Sequence, residues 1–390
     1  MAGLHPFPAG SGLLAGIRVL DLGTMITGPL AASMLADLGA EVIKVEMPDG
    51  GDPFRSFAPD GYGPHFVAYN RGKSSVTLNL REEAGRAALG ALLAEADVLI
   101  ENYRPGTLER LGFGDAALSA FPRLVHCRIT GFGSDGPYAG RPAYDGVAQS
   151  YAGVLSLCLD PEAPSVAGPT IADNVTAYTA AMGVLAALVS RSAGGRGRRI
   201  EVNMLEATLA FIPDAVTMAT MTGKAPGPLS RVAASQTYVL RCADGGLITV
   251  HLSAPEKFWR GLLDAIEAPE LASDPRFAAR SGRVGNYQAL RKELGDRFAA
   301  RPREEWLVRL TKADVPHAPV LSVGEALVDP QVAHLAAVAA WPHPAGGHVT
   351  AVAAPWRVDG ERPAPAQRAP QLGEHTNEVL AGLGLPVGGA

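Results

Sequence analysis

Asp173 opens the stretch IADNVTAYTAAMGVLAALVSR, residues 171–191, which is otherwise apolar almost throughout. A carboxylate at the mouth of an apolar helix has two readings. As an N-cap it accepts backbone N–H bonds, a contribution of about 1 kcal/mol. As a nucleophile it sits in a mostly apolar site, is kept ionised by a helix dipole that lowers its pKa, and attacks an activated acyl group. Two further segments carry basic groups beside predicted strand ends. YNRGKSSV (69–76) frames Gly72 with Arg71 and Lys73, and ENYRPGTLERLGFG (101–114) holds Asn102, Tyr103, Arg104 and Arg110. Arg and Lys beside glycine at the carboxyl end of a strand suit phosphate oxygens. Tyr103 suits stacking on a base or packing on a linker. Either segment alone reads as a solvated loop; two in one α/β sheet make a phosphate-bearing ligand an equal alternative.

Other chemistries find little support. The first strand-to-helix turn, Gly23-Thr24-Met25-Ile26-Thr27-Gly28, has two glycines where a dinucleotide fingerprint needs three, and their spacing is wrong. Glu46 ends the second predicted strand, where a ribose-binding acid would stand, but reads better as a simple strand end. The serine-hydrolase motif Gly-x-Ser-x-Gly is absent, with GFGSDG (131–136) out of frame. No His-Glu-x-x-His occurs and the nine histidines are scattered, so no metal site is expected.

The elements that must carry these residues alternate along the chain. GIRVLDLG (16–23), AEVIKVE (40–46), SVTLNL (75–80), DVLIEN (97–102) and RLVHCRI (123–129) read as strands. Helical spacing in LAASMLADLG and EEAGRAALGALLAEA separates them, which predicts an open, mainly parallel α/β sheet. RRIEVNMLEATLAFI adds a strand and a helix. From about Pro226 the character changes. SQTYVLRCADGGLITVHLS reads as a hairpin, and EKFWRGLLDAI and NYQALRKELGDRFAA as amphipathic helices. The expected organisation is a large first part over 1–225, a small α+β domain over 226–324, and a return of 325–390 to the large domain through QLGEHTNEVLAGLGL. Pro-rich ERPAPAQRAP (361–370) reads as a surface linker.

A chain of 390 residues exceeds one ordinary core, and 47% hydrophobic with 19% charged residues marks it as globular. The formal net charge of −5 argues against a nucleic-acid partner. Cys127, Cys158 and Cys242 are far apart, which suggests neither a disulfide framework nor zinc and fits a reducing cytoplasm. MAGLHPFPAGSG lacks the features of a secretory leader, and the longest apolar run, Ala177 to Val189, is shorter than a membrane span of about 20 residues. The expectation is a cytoplasmic protein without membrane attachment.

Taken together, several segments resemble the family III CoA-transferases. GIRVLDLGTMITGPLAASMLADLGAEVIKVE, YNRGKSSVTLNL, ADVLIENYRPGTLERLGFG, ITGFGSDGPYAGRPAYD and the Asp173 segment match in order, and VPHAPVLSVGEALVDPQV and the terminal QLGEHTNEVLAGLG continue the match. The resemblance implies a Rossmann-like large domain built from both chain ends, a small α+β domain, and an interlocked homodimer. It implies that Asp173 is the catalytic carboxylate and forms an acyl anhydride and then an aspartyl-CoA thioester. It assigns CoA contacts to Asn70, Arg71, Gly72, Lys73, Asn102, Tyr103 and Arg110, with the turn at Ile26-Thr27. Arg104 and Arg141 are added as basic neighbours, while Tyr144 and Asp145 approach the thioester end. CoA or acyl-CoA is substrate; no tightly bound cofactor is implied. The partners are then an acyl-CoA, a carboxylic acid and a second copy of the chain.

Departures from the pattern refine this. The 2-methylacyl-CoA racemases of the same superfamily pair the Asp with a His in Gly-His-Asp. Here Pro142-Ala143-Tyr144-Asp145 has none, which favours transfer over racemisation, His126 and His251 being the remaining candidates. Formyl-CoA-type members carry Gln where this chain has Ile26, and a glycine-rich loop where it has Val232-Ala233-Ala234-Ser235-Gln236; Met47 stands in place of an Arg. A stiffer, more apolar loop with Ala234, Ser235 and Gln236 as pocket residues points away from oxalate and formate. A bulkier acid such as succinate, mesaconate or citramalate then fits, with Arg141 or Arg231 as carboxylate partner.

Overall fold

The alternating apolar runs form six strands: β1 (Arg18–Asp21), β2 (Glu41–Glu46), β3 (Lys73–Thr77), β4 (Val98–Glu101), β5 (Val125–Thr130) and β6 (Arg199–Asn203). They make one all-parallel sheet in the order β3-β2-β1-β4-β5-β6. The computed structural model describes residues 12–363 and 367–386. The reading of residues 1–11 as leaderless and the centre of the 361–370 linker fall outside it. The strand expected at 75–80 lies earlier, at Lys73–Thr77. Its pairing stops where β2 stops, at Glu46 opposite Thr77, so Leu78 and Leu80 are buried without continuing the ladder.

Both faces of the sheet are covered, which the near-continuous apolar strands demand. Successive side chains alternate between two cores. Val19, Val42, Val98 and Ile100 face one, shared with Ala31, Ala32 and Leu35 of the Thr27–Asp37 helix. Leu20, Ile43, Val45 and Leu99 face the other, shared with Leu89, Leu92 and Leu93 of the Glu83–Glu95 helix and with Val379 and Leu380 of the Thr376–Gly382 helix. The last helix is tied in by hydrogen bonds as well: the Thr77 N–H donates to Thr376 Oγ1 at 3.0 Å.

The Ile171–Gly194 helix carries Asp173. Its inner face is built from small residues, with Ala177, Ala180, Ala181, Val184 and Ala187 buried in the first core. It ends at Gly195, whose φ of +75° a side chain would disfavour and whose N–H closes onto the Arg191 carbonyl at 2.7 Å. At 24 residues and a mean hydropathy of 1.3 it is long and apolar enough to cross a membrane by length and composition. The expectation that no segment reaches that length is thereby corrected: the helix extends beyond the apolar run at both ends. Its packed inner face is that of a core helix.

The chain divides into two compact units. One comprises 1–155, 168–213 and 333–390, and the other 156–167 and 214–332. The first also holds the antiparallel pair β10 (Val338–Pro342) and β11 (His348–Val352). The second is built on the antiparallel sheet β7 (Thr237–Arg241), β8 (Leu247–His251) and β9 (His317–Pro319). Trp259, Phe277, Leu294, Phe298 and Trp306 fill its core.

Candidate active site

In an open parallel sheet, ligands sit beyond the carboxyl ends of the strands, where neighbouring crossovers leave on opposite faces. Here that point lies between β1 and β4. A cavity of about 260 Å³ opens there, lined by Thr24–Thr27 after β1, Asn102–Pro105 after β4, Ile129–Gly131 at the end of β5, and Met204 after β6. Arg141, Ala143, Tyr144 and Asp173 complete it. Gly131 permits the closest approach: a Cβ there would lie 2.3 Å from the Cβ of Ala143.

Asp173 is not the N-cap. The helix starts at Ile171 behind Thr170, and Asp173 is its third residue. The Asp173 N–H donates to Asp145 Oδ1 at 3.2 Å, so Asp145 supplies the carboxylate at this helix end. Gln149 Nε2 holds the other oxygen of Asp145 at 2.5 Å. The expected lowering of the Asp173 pKa is corrected as well. Burial, and then the negative charge of Asp145, push it up to about 7. The helix dipole that was expected to act on Asp173 alone is shared with a second anion.

The turn after β1 is held from two sides. Asn102 Oδ1 accepts the Thr24 N–H at 2.9 Å, and its Nδ2 donates to the Thr24 carbonyl at 2.8 Å and to Thr27 Oγ1 at 2.9 Å. Asn102 thus acts as a clamp, with Ile26 and Thr27 beside it on the cavity wall. Tyr103 lines the cavity next to it, and burial pushes its hydroxyl up to about 12, so it serves as a neutral ring and donor. Arg104 is exposed at the rim. Arg141 lies over the Tyr138 ring at 4.1 Å and donates to the Tyr151 hydroxyl at 2.8 Å. Phe132, Tyr138 and Tyr151 pack together edge-on and tilted, which fixes that guanidinium. Tyr144 is largely exposed at the cavity edge.

Asn70, Arg71, Gly72 and Lys73 do not join them. They lie where the Pro64–Asn70 helix enters β3, at the amino end of that strand, not the carboxyl end assumed from sequence. Lys73 is buried, and its Nζ donates to Asp21 Oδ2 at 2.7 Å, Asn70 Oδ1 at 2.9 Å, and the Pro29 and Tyr69 carbonyls. Arg71 is paired with buried Asp37. The Gly72 N–H is spent on the Gln367 carbonyl at 2.7 Å. Asn70, Arg71, Gly72 and Lys73 are thus bonded within the fold, and none of them lines the cavity. Arg110 is exposed on the short Thr107–Arg110 helix, bonded to Thr107 Oγ1, and does not line the cavity.

Ala234, Ser235 and Gln236 belong to the second unit and end a helix, Ser230–Ser235, where a loop was expected. Gln236 is buried there, its amide held by Arg283 Nε at 2.7 Å and the Ser253 carbonyl at 2.7 Å. Ser235 is buried too and bonded to Thr237. Ser235 and Gln236 are thus bonded within the second unit's own fold. His126 sits buried in β5, 3.5 Å from Glu101, and His251 is exposed in β8; neither lines the cavity. Glu46 is bound by Arg55 and Ser75 and is not free for a ribose. Among the described residues no group of three or more His, Cys, Asp or Glu could hold a metal.

Sequence reasoning missed the buried charges beneath the cavity. Asp21, Lys44, Asp52 and Lys73 form a four-membered cluster of two acids and two ammonium groups. The signal was present: a lysine inside EVIKVE and an aspartate ending RVLD interrupt strands that are otherwise apolar. Desolvation and the neighbouring Lys44 lower the Lys73 pKa to about 8, against the opposing pull of Asp21. Lys73→Met is expected to cost about 3–5 kcal/mol in urea unfolding, because it strands the Asp21 carboxylate in the core. Adding Asp21→Leu should recover much of that loss.

Comparison with known proteins adds a separate line. A sequence model described as CoA-transferase family III matches residues 14–376. The chain is 36% identical to acetyl-CoA:oxalate CoA-transferase of Acetobacter aceti, covering 82% of this chain and 83% of that one. It is 32% identical to succinyl-CoA–D-citramalate CoA-transferase of Chloroflexus aurantiacus, covering 94% and 93%. Human succinyl-CoA:glutarate CoA-transferase is 30% identical, covering 94% and 85%. The crystal structure of a CAIB/BAIF family protein from Brucella suis superposes with a TM-score of 0.85 at 32% identity, covering 95% of this chain and 99% of that one.

Proposed function

The chain belongs to CoA-transferase family III and is a CoA-transferase, and from that premise we propose that Asp173 carries the acyl group and then CoA during transfer to a carboxylic acid. The observation that carries this reading is the shared cavity. Asp173 lines the same space as Thr24–Thr27 and Asn102–Arg104, the loops at the carboxyl edge of the sheet.

The chemistry balances without a proton. Asp173 attacks the donor thioester carbonyl, the C–S bond breaks, and an acyl-aspartyl anhydride and CoA thiolate result. The thiolate attacks Cγ of Asp173 and displaces the donor carboxylate, leaving an aspartyl-CoA thioester. The acceptor carboxylate attacks the same carbon and expels CoA thiolate, forming a second anhydride. The thiolate then takes the acceptor acyl group and Asp173 returns as a carboxylate. Each step exchanges one anion for another, so the cycle needs Asp173 ionised but no placed general acid. Water must be kept out, because anhydrides hydrolyse; partial burial of Asp173 supports that.

The acceptor we favour is a dicarboxylic acid larger than oxalate, since apolar Ile26 lines the cavity and Arg141 offers a braced guanidinium for a second carboxylate. Identities of 36% to an oxalate enzyme and 32% to a citramalate enzyme do not separate the two classes. We further propose a homodimer, interlocked as the family resemblance implies, in the cytoplasm. Tyr178, Met182 and Val189 leave the outer face of the long helix apolar and exposed, which a second copy would cover.

A matrix of acyl-CoA donors against mono- and dicarboxylic acids, read by mass spectrometry, tests this. The expected result is CoA exchange with succinate-sized acids and at least about tenfold less with formate, a difference of the size that one lost charged contact produces. Exchange of the α-proton with deuterated water in the absence of any acceptor acid would replace the transferase reading with racemisation.

A further inference from the structure

The four-charge cluster beneath the cavity costs more to bury than apolar packing of the same volume, and such clusters are best explained by the geometry they impose. Asp52 lies in the segment after β2, with its side chain fully buried. One oxygen accepts the Phe54 N–H at 3.0 Å, which fixes its own segment. Both oxygens accept the Met25 N–H, at 3.1 and 3.3 Å. Lys44 pairs with Asp52 at 2.9 Å and donates to the Gly23 carbonyl at 2.8 Å. The turn after β1 is thus gripped from below at Gly23 and Met25, on either side of the residue that Asn102 grips. Met25 needs that grip: its φ of +62° lies in the left-handed region that side chains other than glycine avoid. Nothing in the turn's own sequence favours the bend there.

We propose that Asp52 is a positioning residue for CoA binding, acting through Met25 to hold the bend that places Thr24–Thr27 on the cavity wall. The proposal rests on the CoA-transferase reading of that cavity. Lys44 is its counter-ion and second anchor. Asp21 and Lys73 keep the cluster neutral, so the Asp52 charge can remain in the core.

Asp52→Asn tests it. An amide has one acceptor oxygen for the three donors that the carboxylate serves, and its NH₂ would face either Lys44 or the Met25 N–H. Titration calorimetry with free CoA should show binding at least about tenfold weaker, in line with the cost of misplacing a binding group by a fraction of an ångström. The acyl-CoA KM should rise in parallel while kcat stays within about threefold. Asp37→Asn is the control, since it breaks a buried pair with Arg71 that makes no bond to the turn. It should lower the melting temperature and leave CoA affinity unchanged. If Asp52→Asn does not fold, Asp52→Glu keeps the charge beside Lys44 but shifts its oxygens off Met25, and the same affinity loss is expected. Unchanged CoA affinity in the folded Asp52 variant, or equal loss in Asp37→Asn, overturns the proposal. If Asp173→Ala turns over normally, the role proposed for Asp173 in that cavity falls. If Asp173 is essential and the Asp52 variant binds CoA normally, only the role of Asp52 is lost.

Discussion

Replacing Asp173 by alanine is expected to lower kcat/KM for CoA transfer by at least about 10⁴-fold, the scale seen when a covalent nucleophile is removed. The loss should fall on chemistry. CoA affinity, set by the loops after β1 and β4, should remain within a few fold. Trapping separates this from a binding defect: with acyl-CoA, hydroxylamine or borohydride should modify the parent at residue 173 and leave the variant unlabelled. Normal turnover in the variant would remove the nucleophile from the scheme.

The same substitution should stabilise the protein at high pH. The folded-state pKa of Asp173 is raised to about 7 from an ordinary 3.8, by burial first and by Asp145 second. The folded state therefore holds this proton more tightly than the unfolded chain. The stabilising contribution of the protonated group is complete below about pH 4 and is lost as pH rises through 7. Asp173→Ala escapes that loss, so its advantage in melting temperature over the parent should appear at pH 8 and vanish near pH 4. A carboxylate kept at a cost to stability is what the proposed catalytic role would require, since function and stability then pull apart.

The pH dependence of turnover gives the second large effect. In the proposed scheme only the ionised carboxylate attacks, so kcat/KM should rise about tenfold per pH unit below pH 7 and level above it. At pH 5 the rate constant would be about a hundredfold below its plateau. Asp145→Asn should move this acid limb to lower pH, because it removes the second cause of the raised pKa while leaving burial in place. The limb should not reach ordinary carboxylate values. An unmoved limb would mean that the Asp145 charge does not reach Asp173. The reaction also gains from the raised value: a carboxylate with a pKa near 7 is a better nucleophile than one near 4, and near neutral pH a large share of it is ionised.

The strand-and-helix alternation and the carboxylate before the apolar helix were legible in the sequence. Short apolar runs such as RVLD and VLIE, separated by helical spacing, have few ways to bury both faces except as a parallel sheet. The placement of Asn102 and Tyr103 on the cavity wall was legible too, because a polar pair directly after a buried strand falls at the carboxyl edge of the sheet. Arg71 and Lys73 looked identical by the same criterion but are paired inside the fold and do not line the cavity. Their strand starts at Lys73, so they stand at its entry, and the acids that consume them, Asp37 and Asp21, are far away in sequence.

The sequence by itself determined the fold class, the family and the position of a carboxylate at the start of the long apolar helix, since hydrophobic period and local order are properties of neighbouring residues. Only the tertiary structure decided which charges are free. Asp21, Lys44, Asp52 and Lys73 meet because three parallel strands stand side by side, and Asp173 is pushed toward a pKa of about 7 because it is buried and because Asp145 folds against it from 28 positions away. Charge neutralisation and desolvation depend on distance in space, and the order of residues along the chain does not contain that distance.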